Sequence, residues 1–169
     1  MIGDVIGANC AMVCHGHETW HPDPEFYYKR GGGPMMDMGP YYVTALVQLL
    51  GEAKGVMGMT KKSFERRIIT SAPHCGEVVD VDVDTYLTGN ILFSSGAIAQ
   101  IFTTFDVYYG PSAQARFEVY GTRGTLVVPD PNTFGGPVLL LRPEDQAATA
   151  KIDPGLMRHS TPSFYDGYK

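Results

Sequence analysis

The chain has 169 residues, of which 44% are hydrophobic and 18% are charged, and these values are typical of one globular domain with a core of its own. The net charge of −5 argues against a nucleic acid or an anionic membrane as partner, because no basic stripe could neutralise phosphates. No apolar run approaches the roughly 20 residues that span a bilayer, and no signal peptide is predicted. Three cysteines without paired-motif spacing (Cys10, Cys14 and Cys75) favour a reduced, cytoplasmic setting.

The first third of the chain is predicted to contain one short strand, followed by turn-rich segments and two helical ones. Val5 to Val13 is apolar and predicts a strand, and a polar, aromatic loop follows it. Asp23 and Pro24 are typical of a capped helix start and predict a helical turn through Tyr28. After three glycines a longer helix is predicted to end at Gly51, where a C-terminal cap is expected.

That longer helix has two predicted faces. The core stripe, spaced i, i+3, i+4 and i+7, consists of Val43, Leu46, Val47 and Leu50. A polar stripe on another side consists of Asp37, Tyr41, Thr44 and Gln48. Pro40 leaves two alternatives open, because the helix either begins near this proline or kinks there.

The remainder of the chain reads as strands. Segments 56–62 and 65–70 are strand-like, and from Val81 a strict alternation predicts a long hairpin that turns at residues 94–96 and continues to Val107. A second hairpin is predicted over 115–128 and a further strand over 138–141. We therefore predict an α+β fold with an open, mainly antiparallel sheet and helices on one face, formed by residues 1–143. Residues 144–169 are expected to form an irregular, truncated tail.

The hairpin's second face is less charged than an ordinary solvated surface. It is predicted to carry Tyr86, Thr88, Phe102 and Thr104, together with Asp106. Such a face contacts either water or a copy of itself. Asp80, Asp82 and Asp84 follow the same period of two and are interpreted as outward-facing strand residues rather than as a cation site.

The loop after the first strand carries a cluster of metal-type ligands. It contains Cys14, His15, His17 and His21. Their spacing matches no established zinc pattern, so three interpretations stay open: a metal site, a loop that lines a polar cleft, and a plain surface loop. We predict no metal.

The segment GGGPMMDMGPYY, residues 31–42, is the strongest candidate for a small-molecule site. A carboxylate near a helix start is favoured by the helix dipole, which gives Asp37 a purely structural explanation. That explanation leaves the three glycines unaccounted for, and glycines let the backbone approach another group closely. The functional alternative is that Asp37 orients Tyr41 and a substrate hydroxyl, because a tyrosine can donate to, or exchange a proton with, a carbinol oxygen.

The chain has no nucleotide-binding motif of its own. Its glycines do not form a G-x-G-x-x-G turn between a strand and a helix, and no G-x-x-x-x-G-K-[ST] loop is present.

Several stretches resemble the glucose–fructose oxidoreductase, inositol dehydrogenase and rhizopine-catabolism (Gfo/Idh/MocA) family. That family's second domain carries G-G-G-x-x-x-D-x-G-x-H before an apolar helix that ends at glycine. Residues 31–33, Asp37 and Gly39 match this pattern, whereas Tyr41 stands where the family has histidine. The stretches VDVDTYLTGNILFSSGAIAQI, VYGTRGTLVV and GDVIGANCAMV resemble its central hairpin, its second hairpin and its first strand, so the resemblance covers about Gly3 to Pro143.

The resemblance implies one domain of a two-domain enzyme. In such enzymes a Rossmann domain binds NAD or NADP and supplies a catalytic lysine from a Glu-Lys-Pro segment, and the second domain binds a sugar or polyol and builds oligomers through its sheet. This chain matches the second domain only. We therefore expect it to be a fragment that binds no cofactor and is inactive alone, and to need the Rossmann domain, a sugar- or polyol-like molecule and a second copy of itself as partners.

The resemblance also assigns candidate site residues. Asp37 and Tyr41 are the predicted catalytic pair, with tyrosine as a hydrogen-bond donor in place of the family's histidine. The loop that runs towards the glycines adds predicted substrate-binding residues independently of the resemblance. With two of those glycines, the set is His15, His17, Trp20, His21, Tyr27, Gly32 and Gly33. The alternative function is a non-catalytic ligand-binding or protein-association module that uses the open sheet face.

Overall fold

The computed structural model describes residues 1–108, 117–133 and 135–145. Its body is a seven-stranded sheet in the order β2-β5-β6-β1-β7-β8-β9, beside a separate two-stranded sheet, β3-β4. The strands are β1 (Val5–Val13), β2 (Ala53–Lys61), β3 (Arg66–Ile68), β4 (Val78–Asp80), β5 (Tyr86–Phe93), β6 (Ile98–Thr104), β7 (Phe117–Gly121), β8 (Gly124–Val128) and β9 (Leu139–Leu141). Among these strands β1 and β6 pair in parallel, and the other pairs are antiparallel. The predicted open, mainly antiparallel sheet is confirmed.

The sheet's core face follows from alternation along its central strands. In β1 the inward residues are Ala8, Cys10 and Met12, all buried. They pair across the parallel β6 with Ala99, Ile101 and Thr103. On the other side of β1, Ala8 and Cys10 pair with Val119 and Phe117 of β7. These paired, buried side chains form one continuous and largely apolar face that a helix can cover.

Two helices lie at this face, α1 (Pro34–Asp37) and α2 (Gly39–Leu50). Only Met38 separates them, so the longer helix begins one residue before Pro40, and it ends at Gly51 as predicted. The buried residues of α2 are Gly39, Tyr42, Leu46 and Leu50. The helix is therefore the predicted cover, but its buried stripe is rotated from the predicted one.

Val47, predicted to be core, is 39% exposed, so that assignment is wrong. The reason is Tyr42, whose ring is buried and whose hydroxyl donates to Asp130 Oδ1 at 2.8 Å. This bond fixes α2 to the turn Pro131–Thr133 and sets the buried stripe at i, i+4 and i+8.

The long hairpin is shorter than predicted. Its β5 begins at Tyr86 and not at Val81, because residues 81–85 cross from the two-stranded sheet to the main one. The predicted outward orientation of Thr104 and Asp106 is also wrong. Thr104 is fully buried, and the Asp106 side chain is 2% exposed. Asp106 turns inward to an arginine of β3, as described below.

The remaining predictions concern the second hairpin, β9, the helical turn before the glycines and the C-terminal tail. The second hairpin and β9 are confirmed, and so is a helical turn at Glu25–Tyr28, although Pro24 rather than Asp23 stands at its N-cap. The predicted tail lies outside the described residues except for positions 144 and 145. No helix in the described part of the chain is both long and apolar enough to cross a bilayer.

Candidate functional site

Asp37 and His17 meet at the start of the helical segment. Asp37 is the last residue of α1, two residues before the start of α2, and its N–H donates to the carbonyl of Gly33 at 2.9 Å. His17 lies on the loop after β1, and its Nε2 is 3.5 Å from Asp37 Oδ2. The His17 side chain is 12% exposed and that of Asp37 is 30% exposed. The site thus presents a partly exposed carboxylate backed by an imidazole that is largely, though not fully, buried.

Aromatic rings surround the imidazole of His17. Ring centroids lie 4.1 Å away for Tyr27, 4.5 Å for Phe105 and 5.3 Å for Trp20. Burial among these rings lowers the pKa of His17, and the charge of Asp37 opposes this effect without reversing it. His17 is therefore a neutral imidazole at pH 7 in the folded protein. Burial also raises the pKa of Tyr27, with a further contribution from Asp37.

The triple glycine packs against its own chain. A Cβ at Gly32 would overlap the carbonyl oxygens of Phe26 and Tyr27, and the N–H of Gly33 donates to that Tyr27 carbonyl at 2.7 Å. Gly33 has φ of +87°, a conformation that favours glycine. The close approach inferred from the sequence is thus made by the turn Glu25–Tyr28, and it places Asp37 beside the aromatic loop.

A buried charge cluster, formed by Arg67, Glu18, Asp106 and Tyr28, lies behind His17. Arg67 Nη1 contacts Glu18 Oε1 at 2.6 Å and Nη2 contacts Asp106 Oδ1 at 2.5 Å. Tyr28 donates its hydroxyl hydrogen to the other oxygen of Glu18. Burial alone would lower the pKa of Arg67, but the hydrogen bond to Glu18 and the surrounding negative charges raise it. The guanidinium therefore stays charged.

The buried charge cluster also fixes the backbone that carries His17. The His17 N–H donates to the Tyr28 hydroxyl at 3.1 Å, and the Glu18 carbonyl accepts from the N–H of Thr70 at 2.8 Å. At Gly16 a Cβ would overlap the Glu18 carboxylate and the Tyr28 hydroxyl, and φ is +92°. Glycine is therefore required where the loop passes over the cluster. This support for the site was not predicted from the sequence.

The loop's other potential metal ligands are not arranged as one ligand set; they are Cys14, His15 and His21. The His15 ring stacks on Tyr108 at 3.4 Å, and His21 Nδ1 accepts the Asp23 N–H at 3.0 Å. Burial raises the pKa of the Cys14 thiol to about 11, which disfavours the thiolate that a metal would need. Within the described ranges no group of three or more potential ligands could hold a metal ion.

Asp80, the last residue of β4, and Asp82 and Asp84, which follow it, face outward as predicted, although Asp82 and Asp84 do not lie in a strand. Asp80 pairs with Arg66 at 2.8 Å, Asp82 pairs with Lys29 at 3.1 Å, and Asp84 accepts from the hydroxyl of Thr60. Each carboxylate thus has a polar partner of its own.

Tyr41, the other predicted catalytic residue, borders a shallow groove of about 420 Å³ on α2. The groove's other lining residues are Pro40, Thr44, Ala45 and Pro131. Neither Asp37 nor His17 lines this groove. Asp37 instead lies beside His17 and Tyr27. Tyr41 lies one helical turn further on, 38% exposed.

Comparison with known proteins adds a family match. A model described as GFO/IDH/MocA C-terminal domain matches residues 1–127. The sequence has no significant match among curated proteins.

Several solved structures share the fold. An NAD-binding oxidoreductase from Klebsiella pneumoniae is 21% identical, with a TM-score of 0.64 over 83% of this chain and 36% of its own. Levoglucosan dehydrogenase in complex with NADH and L-sorbose is 20% identical, with a TM-score of 0.59 over 75% of this chain and 33% of its own. An Agrobacterium radiobacter oxidoreductase in complex with NAD⁺, L-tartaric acid and magnesium is 14% identical, with a TM-score of 0.54 over 85% and 36%. This chain therefore spans about a third of each of these proteins, and the likeness concerns the fold.

Proposed function

Because the chain belongs to the GFO/IDH/MocA C-terminal domain family, we propose that it is the substrate-binding and oligomerisation domain of an NAD(P)-dependent oxidoreductase. The proposed substrate is a sugar- or polyol-like alcohol. Two structures of the same fold support this class, since one is a complex with NADH and L-sorbose and the other contains NAD⁺ and L-tartaric acid. L-sorbose and L-tartaric acid each carry at least two alcohol hydroxyl groups.

The observation that carries the proposal is the pairing of Asp37 with a neutral His17 at 3.5 Å. A carboxylate is a pure acceptor and binds an alcohol hydroxyl by a charge-assisted hydrogen bond. Trp20 and Phe26, both exposed, provide apolar faces nearby on which the C–H side of a sugar ring can pack. In this proposal Asp37 accepts from the reacting hydroxyl and Tyr41 donates to a neighbouring oxygen.

The described residues do not fit a dinucleotide cofactor. The parallel strands β1 and β6 are not joined by a glycine-rich turn and a helix, since α1, α2 and four other strands lie between them in the chain. We therefore assign NAD or NADP, the hydride acceptor, to another domain. This chain's share is to bind the alcohol and to orient its hydroxyl, and it is inactive alone.

The test is calorimetric titration of the chain with a panel of sugars and polyols. At least one should bind, and Asp37→Ala should weaken that binding by tenfold or more, because a hydrogen bond to a charged group is lost (about 1.5–3 kcal/mol). Asp82→Ala is the matched control, since Asp82 is exposed and pairs with Lys29 away from His17. Equal affinities for wild type and Asp37→Ala contradict the site, and NAD⁺-dependent turnover by this chain alone contradicts its inactivity.

A second candidate function rests on the open face of the sheet, the side opposite α2. Register places Met57 and Met59 of β2 beside Asn90 and Thr88 of β5 on this face. Leu92, Ile98 and Phe102 lie on the same side, and all but Phe102 of these apolar residues are exposed. An apolar surface of this kind favours association with another protein surface. The alternative is therefore a protein-association module without catalysis.

A further inference from the structure

Trp20, His17 and Asp37 lie in a row of neighbouring polar groups at the site, which we call the Trp20–His17–Asp37 row. The indole Nε1 of Trp20 lies 3.2 Å from His17 Nδ1, and on the opposite side of the ring His17 Nε2 lies 3.5 Å from Asp37 Oδ2. An indole N–H only donates, so the Nδ1 that it contacts must accept and carry no hydrogen. The single hydrogen of the neutral ring then sits on Nε2 and points to the carboxylate.

The surroundings of His17 favour this one tautomer. The ring packs against Tyr27 and Phe105, and its Nε2 is buried with no closer polar partner than Asp37 among the described residues. The titratable groups that act on the ring are Asp37 from α1, and Glu18 and His21 from its own loop. An imidazolium would direct a second N–H at the Trp20 donor, so the row opposes protonation by geometry.

We propose that His17 is a positioning residue, held by Trp20 as the Nε2–H tautomer, and that it orients the Asp37 carboxylate through Oδ2. This inference rests on the proposed function of Asp37, because it leaves Oδ1 as the oxygen that accepts the substrate hydroxyl. The Nε2–Oδ2 separation of 3.5 Å is longer than a normal hydrogen bond. Hydrogen bonds of this kind are often long without substrate and shorten in the complex.

The tautomer of His17 can be read directly by NMR. In the ¹⁵N-histidine-labelled 169-residue chain at pH 7, long-range ¹H–¹⁵N correlations should show a hydrogen on Nε2 and none on Nδ1. Trp20→Phe removes only the indole N–H and leaves an aromatic ring, so both tautomers should then be populated. Phe26→Leu is the control, because Phe26 is exposed and contacts His21 and Tyr27 rather than His17.

The link to Asp37 has its own readout. Asp37→Asn should shift the Nε2–H proton resonance, because the charged acceptor is lost, whereas Asp82→Asn should leave it in place. An Nδ1–H tautomer or an imidazolium in the wild type at pH 7 overturns the proposal. So does a Trp20→Phe variant with an unchanged tautomer, or an Nε2–H resonance that does not respond to Asp37→Asn.

The outcomes for the row and for the proposed function can be told apart by the polyol titrations. If the NMR signature appears and no sugar or polyol binds, the row stands and the proposed function fails. If a polyol binds through Asp37 while His17 is the other tautomer, the function stands and this inference fails. His17→Gln, which retains an amide N–H at the Nε2 position, should keep polyol affinity, whereas His17→Asn should lower it about tenfold.

Discussion

Arg66 and Arg67 are adjacent in β3, and their guanidinium groups lie in opposite environments. The Arg66 side chain is 73% exposed and contacts Asp80 at 2.8 Å. The Arg67 side chain is 4% exposed and lies between Glu18 and Asp106, with its Nη2 also donating to the carbonyl of Phe105 at 2.9 Å. The pair thus contrasts an exposed arginine that contacts one carboxylate with a buried arginine that contacts two.

Replacing each arginine by methionine should show how much the contacts of each contribute to the free energy of unfolding. Arg67→Met leaves Glu18 and Asp106 buried without their cation and should lower the free energy of unfolding by about 3–5 kcal/mol. Arg66→Met breaks only an exposed pair and should cost about 0–1 kcal/mol. Urea denaturation of the two variants measures the difference. Similar losses for both would show that the buried charge cluster is not a structural support of the loop.

The buried face of α2 can be tested in the same way. Leu46 is fully buried beneath the helix, and Leu49 on the same helix is 45% exposed. Leu46→Ala should cost about 2–5 kcal/mol because it leaves a cavity, whereas the chemically identical Leu49→Ala should cost far less. Equal losses in chemical denaturation would contradict the placement of α2 on the sheet.

The sequence predicted the order of elements because alternation and helical spacing are local signals. Residues 5–13 and both hairpins were identified from them, and the resemblance to the family was confirmed by the match over residues 1–127. The buried stripe of α2 was not identified correctly, because the rotation of the helix depends on a bond from Tyr42 to Asp130, 88 residues away.

The buried charge cluster was missed for a similar reason. Asp106 continues the polar side of a strand pattern, and nothing local marks it as inward-facing. One signal was available: successive side chains of a strand point to opposite faces, so in a strand with one buried face one of two successive arginines must turn inward. At the candidate site the sequence supplied His17, Tyr27 and Asp37 as separate candidates. Their contacts join three segments that only the fold brings together, and their roles in substrate binding remain predictions.

If the chain self-associates through the open face of the sheet, charged substitutions on that face should dissociate the dimer. Met57 and Met59 are exposed on the open face, and Val56, which immediately precedes Met57, is exposed on the opposite face of the same edge strand. If two sheets pack together, the wild-type chain sediments as a dimer, and Met57→Lys with Met59→Lys dissociates it. Val56→Lys should leave the dimer intact. A wild type that is monomeric at every concentration, or a dimer that survives the double substitution, contradicts this interface.

The lowered pKa of His17 predicts how stability depends on pH. In the unfolded chain the imidazole takes up a proton near its ordinary pKa of 6.5, whereas in the folded protein burial keeps it neutral to lower pH. Between these two values the unfolded state binds more protons, so the free energy of unfolding falls as pH decreases from 6.5 through the folded pKa. His17→Gln does not titrate and should lose this part of the pH dependence.

The measurement is chemical denaturation of wild type and His17→Gln between about pH 7.5 and pH 5, a range that spans the ordinary histidine pKa. His74 provides a control of opposite sign, because its hydrogen bond to Glu77 raises its pKa and favours the folded state below 6.5. His74→Gln should therefore make stability fall slightly more steeply on acidification, by a small amount because the pair is exposed. If His17→Gln retains the wild-type slope, the imidazole is not held neutral by its burial beside Asp37.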